Sequence, residues 1–264
     1  EDRLLALKEK TDRASKMREE EEGEVEASFR AACLEIILYL LFVVIFAIVT
    51  WMSAIHVAYP YASKIKDVVY GDPPESFEDI FSENQFWDYM EGHLVNILFV
   101  NADYRGTELP SNRLGYVLEV DKMIGAVRLE QKRVKLDRAR CSVPPVYEQL
   151  IPACYPRIRT EFDVDNQAYG PEDRFQAIST GFFVDIGFQR FVEDIPNDAT
   201  PEKAIEILES LRNDSWIDLQ TREVHVKFTV YNPAVDLFCY ADLEFSFLHT
   251  GGIMVNSKFR TISM

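Results

Sequence analysis

Cys141 and Cys154 close the stretch CSVPPVYEQLIPAC, with Pro144, Pro145 and Pro152 between them. Two thiols so placed can form a redox pair, half of a metal site or a disulfide, and the compartment decides among these. A zinc site needs two further ligands, and no His or Cys stands at ligand spacing nearby. A few residues on, FDVDNQ sets Asp163 and Asp165 one residue apart. Such paired acids could hold a divalent cation, as in membrane-anchored sugar transferases. The stretch departs from a calcium loop, which requires Gly where Ala168 stands and Glu where Arg174 stands. Solvated loop acids are the plainer reading. His56, His93, His225 and His249 share no spacing, and there is no Gly-rich phosphate loop, metalloprotease His pair or nucleophile elbow. These residues assign no catalytic group, metal ligand or cofactor, so the chain reads as a non-enzyme.

The elements around these residues settle the compartment. From Ile36 to Ile55 the sequence IILYLLFVVIFAIVTWMSAI runs without a charge. At about 1.5 Å per residue, such a helix matches the roughly 30 Å hydrocarbon layer of a bilayer. Arg30 and Glu35 mark its near boundary, and Trp51, Tyr59 and Tyr61 suit an interfacial aromatic belt at the far one. Beyond it the sequon Asn213-Asp214-Ser215 lies on the same side as the cysteine pair, favouring an extracellular or lumenal location for both. In that compartment Cys141 and Cys154 read as a disulfide, worth on the order of 2–4 kcal/mol. Cys33 and Cys239 read as unpaired. The formal charge of −16 excludes a nucleic-acid binder, which needs a basic patch.

Four segments follow: a charged cytosolic stretch over 1–30, a membrane helix over 31–58, an extracellular domain over 59–252, and a link over 253–264 towards a following span. Within the domain, Ser82 and Gln85 stand at capping-box spacing before a helix whose stripe is Phe86, Met90, Leu94, Ile97 and Leu98. His93 lies beside that stripe as a packed or edge histidine. AVRLEQKRVKL after Gly125 and STGFFVDIGF read as strands, and TPEKAIEILESLR as a helix with Thr200 as N-cap and Pro201 first. Ile205, Leu208 and Leu211 share its apolar face. Val224, Val226, Phe228 and Val230 alternate with polar neighbours, turn at Asn232-Pro233, and alternate again at Val235, Leu237, Cys239, Ala241, Leu243, Phe245 and Phe247. That is an antiparallel hairpin with one buried face. The fold class is therefore α+β: one N-terminal transmembrane helix, then an antiparallel sheet packed against helices.

Several of these residues resemble the polycystin family. Phe86-Trp87, then Gly125, Arg128, Gln131 and Arg133 ahead of the cysteine pair, carry part of the likeness. The densest part is Trp216, Asp218, Arg222, Phe228, Tyr231, Asn232, Leu237, Phe238 and Gly251-Gly252. The resemblance implies the first helix and the large outer domain of a calcium-permeable, non-selective cation-channel subunit. It implies homo- or hetero-tetramers with other polycystin-family subunits, in which a cysteine-closed lobe reaches the neighbour and couples contact to gating. It implies a glycoprotein of the plasma, ciliary or endoplasmic reticulum membrane. Cations such as calcium would cross a pore outside Glu1–Met264. FSFLHTGG departs from the family's more usual approach to the two glycines, and YNPAVDLF resembles the receptor-like members. A single-pass adhesion or receptor ectodomain is the alternative, followed by the membrane-anchored glycosyltransferase.

Overall fold

The computed structural model describes residues 30, 32–50, 57–73, 76–102, 105–110, 113–137, 140–151, 153–179 and 189–263. The chain divides into two units, Glu1–His56 and Val57–Met264. In the first, α1 (Ala32–Thr50) is long and apolar enough to cross a membrane, and none of the residues in its apolar window is buried. Residues 51–56 of the span expected over 31–58, including Trp51 and His56, lie outside the described residues, as does the charged stretch over 1–29, and Ala58 begins the next helix instead of ending this one.

In the second unit α2 (Ala58–Tyr70) turns its Tyr61, Ile65 and Val69 inward. α3 (Glu83–Asp88) begins at the capping box expected from the sequence, the Ser82 hydroxyl accepting from Gln85 N and the Gln85 side chain accepting from Ser82 N. The helix then widens into a π turn, Tyr89–Leu94, before α4 (Val95–Leu98). An inserted residue of this kind rotates everything after it. Val95 and Leu98 consequently face the core, and Ile97, expected in the stripe, stays half-exposed. The N-cap of α5 (Pro201–Asn213) is Thr200, as expected, with Leu208 and Leu211 buried; Ala204 takes the inward place expected for Ile205.

Seven strands form one antiparallel sheet among the described residues: β1 (Tyr116–Val117), β2 (Asp121–Arg133), β3 (Ala177–Ser179), β4 (Gln189–Pro196), β5 (Thr221–Asn232), β6 (Leu237–Phe247) and β7 (Ile253–Ser263). Their order is β3-β4-β2-β5-β6-β7, with β1 pairing β2. The expected hairpin is β5–β6, registered from Glu223↔Ser246 to Asn232↔Leu237. Its inward row is fully buried from Val224 to Val230 and from Leu237 to Phe245. The helices pack on that row: Phe86 and Phe77 meet Phe245 edge-on, with ring centroids 4.8 Å and 5.3 Å apart. Each such side chain, fully buried, contributes about 1.5–3 kcal/mol.

Three further expectations change. The link over 253–264 is instead an edge strand, paired with β6 from Leu237↔Ser263 to Phe247↔Ile253. Its alternation is masked in sequence because Met254 and Ile262 are apolar yet exposed. Val235, expected on the inward row, lies in the turn. The strand expected at 126–136 runs from Asp121 to Arg133, so Gly125 lies inside it. Most of STGFFVDIGF falls outside the described residues.

Gly125 sits where the β2–β5 register shifts, between Ile124↔Thr229 and Arg128↔Lys227, at φ +79°. A Cβ there meets nothing within 4 Å, so substitution strains only the backbone. Gly125→Ala should cost about 1 kcal/mol, or roughly 2–4 °C of melting temperature in a domain of this size. An unchanged thermal melt would contradict the bulge.

Candidate functional site: a buried polar hub under the cysteine lobe

At the far end of β2 the sheet stops being apolar. Gln131 and Arg133, both buried, point into the loop that precedes β5, where Trp216 is fully buried. Gln131 Nε2 donates to the Trp216 carbonyl and to Thr221 Oγ1 at 2.5 and 2.7 Å. The Tyr169 hydroxyl donates at 2.5 Å to Gln131 Oε1 and lies 2.7 Å from the same Trp216 carbonyl. Burial pushes the Tyr169 phenol up, against the opposing pull of Arg133. The Arg133 guanidinium stacks 3.4 Å from the Tyr169 ring centroid and donates from Nη2 to Asp218 Oδ2 (2.5 Å) and Gln220 Oε1 (2.8 Å). Its Nε and Nη1 make no hydrogen bond. The aromatic face is the favourable surface available to that side of the cation. Asp218 Oδ1 in turn accepts from Gln220 N and Thr221 N, which fixes the loop as a tight turn.

Gln220 carries the network outward. Its Nε2 donates to the Val134 carbonyl and to Asp165 Oδ2, and Val134 bridges Val164. From there the chain forms a lobe closed by the Cys141–Cys154 disulfide, whose Cα atoms are 5.6 Å apart. Asp163 accepts from Arg140 through both of its oxygens and from the Arg159 and Thr160 amides. The Arg140 hydrogen bonds, followed by the Arg159 amide, hold its carboxyl well below the usual carboxylate range. Arg222 ties the lobe from the sheet side, donating to the Tyr155 carbonyl at 3.2 Å. Desolvation lowers the pKa of that guanidinium.

This geometry gives Asp163 and Asp165 a structural role: both carboxylates are turned onto internal donors instead of towards a cation. No three metal-ligating side chains converge among the described residues. His93 rests against the Val68 carbonyl at 3.1 Å, His225 pairs with Asp242 at 2.8 Å, and His249 is exposed.

The motif residues divide. Gln131, Arg133, Trp216 and Asp218 converge in the hub, and Arg222 lies at its edge. Phe86, Trp87, Phe228 and Leu237 are core. Arg128 grips Asp194 across β2–β4 with two hydrogen bonds of 2.8 Å. Tyr231 bonds Asp236 and packs 4.6 Å from the Phe238 ring, and Asn232 accepts from Ala234 N within the hairpin turn. Gly251 and Gly252, both at φ +89°, make the β6–β7 turn. Asn213 is exposed at the end of α5. Tyr169 and Gln220 escaped the sequence reading, since no local pattern marks a residue that acts across the fold. A second omission had a signal. Within the lobe Val146, Leu150 and Phe162 are 82%, 78% and 90% exposed, with Tyr147 and Ile151 beside them. Exposed apolar side chains on such a lobe are available to an interaction surface.

Comparison with known proteins bears on the family resemblance. The model of the Polycystin domain matches residues 76–186 and 188–264. Polycystin-2 of Danio rerio is 26% identical over 255 residues, which is 90% of this chain and 28% of that protein. Polycystin-2-like protein 1 of Homo sapiens is 25% identical over 252 residues, 90% of this chain and 31% of its own. Polycystin-2-like protein 2 of Mus musculus is 26% identical over 265 residues, with 90% and 40% covered. The chain thus spans less than half the length of these relatives.

Two results are expected of the hub. Arg133→Met, which leaves Asp218 and Gln220 without their donor, should destabilise the domain by about 3 kcal/mol in urea titration; a loss under 1 kcal/mol would contradict a hub role. Asp163 has a depressed folded pKa, so its contribution is complete above the unfolded value near 4 and is lost as pH falls below it. Acid titration of lobe proteolysis should show that loss, and Asp163→Asn should remove the dependence.

Proposed function

This chain belongs to the polycystin family, and on that premise we propose that it forms the first membrane helix and outer domain of a cation-channel subunit. The family is one of channels, not enzymes. In this reading α1 anchors the chain and the domain that follows stands outside the cell or in the lumen. The cysteine lobe is the part that grips the neighbouring polycystin subunit, in a homo- or hetero-tetramer, and couples that contact to gating. Calcium and other cations pass through a pore formed elsewhere in the subunit. Residence in the plasma, ciliary or endoplasmic reticulum membrane belongs to the same proposal, as does a glycan on Asn213.

One observation carries the reading: the exposed Val146, Leu150 and Phe162 sit on a lobe closed by Cys141–Cys154 and anchored to the sheet through Gln220 and Arg222. A flexible loop would lose conformational freedom on binding. A loop fixed in advance loses much less, so the same apolar contact yields more affinity. The acidic outer domain, in a chain of formal charge −16, supports attraction of cations towards the assembly.

Cys141→Ser in the full-length subunit should reduce the oligomeric fraction on native gels several-fold, while the monomer keeps its sheet circular dichroism. Unchanged assembly and current would sink the proposal. For the topology, protein from secretory-pathway cells should shift on gels after deglycosylation, and Asn213→Gln should abolish the shift. Its absence in the wild-type protein would argue against an outer location.

A further inference from the structure

The sheet register places an apolar tip at the end opposite the cysteine lobe. Lys122 faces Tyr231 across β2–β5, Tyr231 faces Phe238 across β5–β6, and Phe238 faces Ile262 across β6–β7. Just beyond this row lie Val120 in the β1–β2 turn and Val235 in the β5–β6 turn. The start of α2 reaches the same end, since Tyr61 donates to the buried Asp121 at 2.9 Å. The unit therefore begins, at Val57, and finishes, at Ser263 beside Leu237, on one side of the sheet. On that side Tyr59 is 81%, Ile262 60% and Val120 54% exposed, and Val57, Val235 and Ile124 are exposed as well. These side chains come from four separate segments, so a single loop does not explain them.

The tether limits what can cover this tip. Residues 51–56 are all that separate Thr50 from Val57, so at about 3.5 Å per residue Val57 stands no more than ~25 Å from Thr50. If α1 spans the bilayer, as proposed above, the start of the tip stays within reach of the lipid headgroup zone. Aromatic and aliphatic side chains among scattered polar groups suit that zone. Here Glu119 and Asp236 in the turns, with Lys122 and the Tyr231 hydroxyl, make the polar rim. With acids on the rim, a zwitterionic surface fits better than an anionic one.

We propose that this tip, formed by Tyr59, Val120, Val235 and Ile262, rests in the interfacial layer of the membrane as a second, peripheral contact of the outer domain with lipid. The lobe and the tip then lie at opposite ends of one sheet. Lateral contact between subunits and vertical contact with lipid are mechanically linked through β2 and β5.

Spin labelling of the whole chain in phosphatidylcholine nanodiscs tests this. Cys33 is replaced by Ser. Cys239 is buried with its thiol pushed up to about 11, which protects it from the label. Nitroxides are then placed one at a time by Val120→Cys and Ile262→Cys, with Leu219→Cys at the lobe end as the reference. Labels at the tip should show a ratio of oxygen to nickel-chelate accessibility roughly three-fold or more above that at 219, as shallow burial in the headgroup and acyl boundary requires. A second change, Tyr59→Asp, should lower the ratio at 120 without unfolding, because Tyr59 is exposed. Water-like ratios at 120 and 262 would overturn the proposal. So would labels shielded from both reagents, which would mean that protein covers the tip. The assembly reading has its own, separate test in native gels.

Discussion

A buried guanidinium is the constraint on which the outer domain turns. Arg133 ends β2 inside the protein, and desolvating that charge is unfavourable unless carboxylate, amide and aromatic partners surround it. Asp218, Gln220 and Tyr169 supply them. Asp218 and Gln220 come from the loop before β5 and Tyr169 from the chain beyond the lobe, so satisfying one cation fixes the start of β5, the base of the lobe and the end of β2 together. The apolar core supplies most of the stability. The hub sets where the lobe must sit.

The disulfide and the hub divide the work of holding the lobe. Cys141–Cys154 limits the loop internally, and the contacts of Gln220 with Asp165 and of Arg222 with Tyr155 fix its base to the sheet. What the arrangement displays is an outward group of apolar side chains with no chemistry of its own. The carboxylates that invited a transferase reading are consumed in the same task, Asp163 by Arg140 and backbone amides, Asp165 by Gln220. In the function proposed above, the outward apolar group is the surface by which subunits assemble around a pore.

The sequence was most legible where periodicity is enforced by burial. Along β5 and β6 every second residue is inside, and the hairpin could be placed almost to the residue. The caps at Ser82 and Thr200 were equally plain, because capping chemistry is local. Legibility failed where a residue answers to distant partners. The π turn at Tyr89–Leu94 brings Val95 inward and leaves Ile97 half-exposed. β7 has its alternation blurred by exposed Met254 and Ile262. Of the hub, Gln131, Arg133, Trp216 and Asp218 were found by resemblance alone; Tyr169 and Gln220 had no signal. The apolar side chains between Val146 and Ile151 were visible in sequence, and only the structure revealed that they point away from the core.

Whether the lobe is the surface by which one subunit grips the next is tested by proximity. A cysteine at Leu150, paired by a short bifunctional cross-linker with cysteines introduced in turn over the outer domain of the full-length subunit, would be read on denaturing gels. The account predicts covalent bands of dimer size and above for a small, contiguous set of partner positions, insensitive to dilution within detergent-solubilised complexes. If Leu150 gives only monomer with every partner while the complex remains intact on native gels, the lobe faces solvent and the subunits are joined elsewhere.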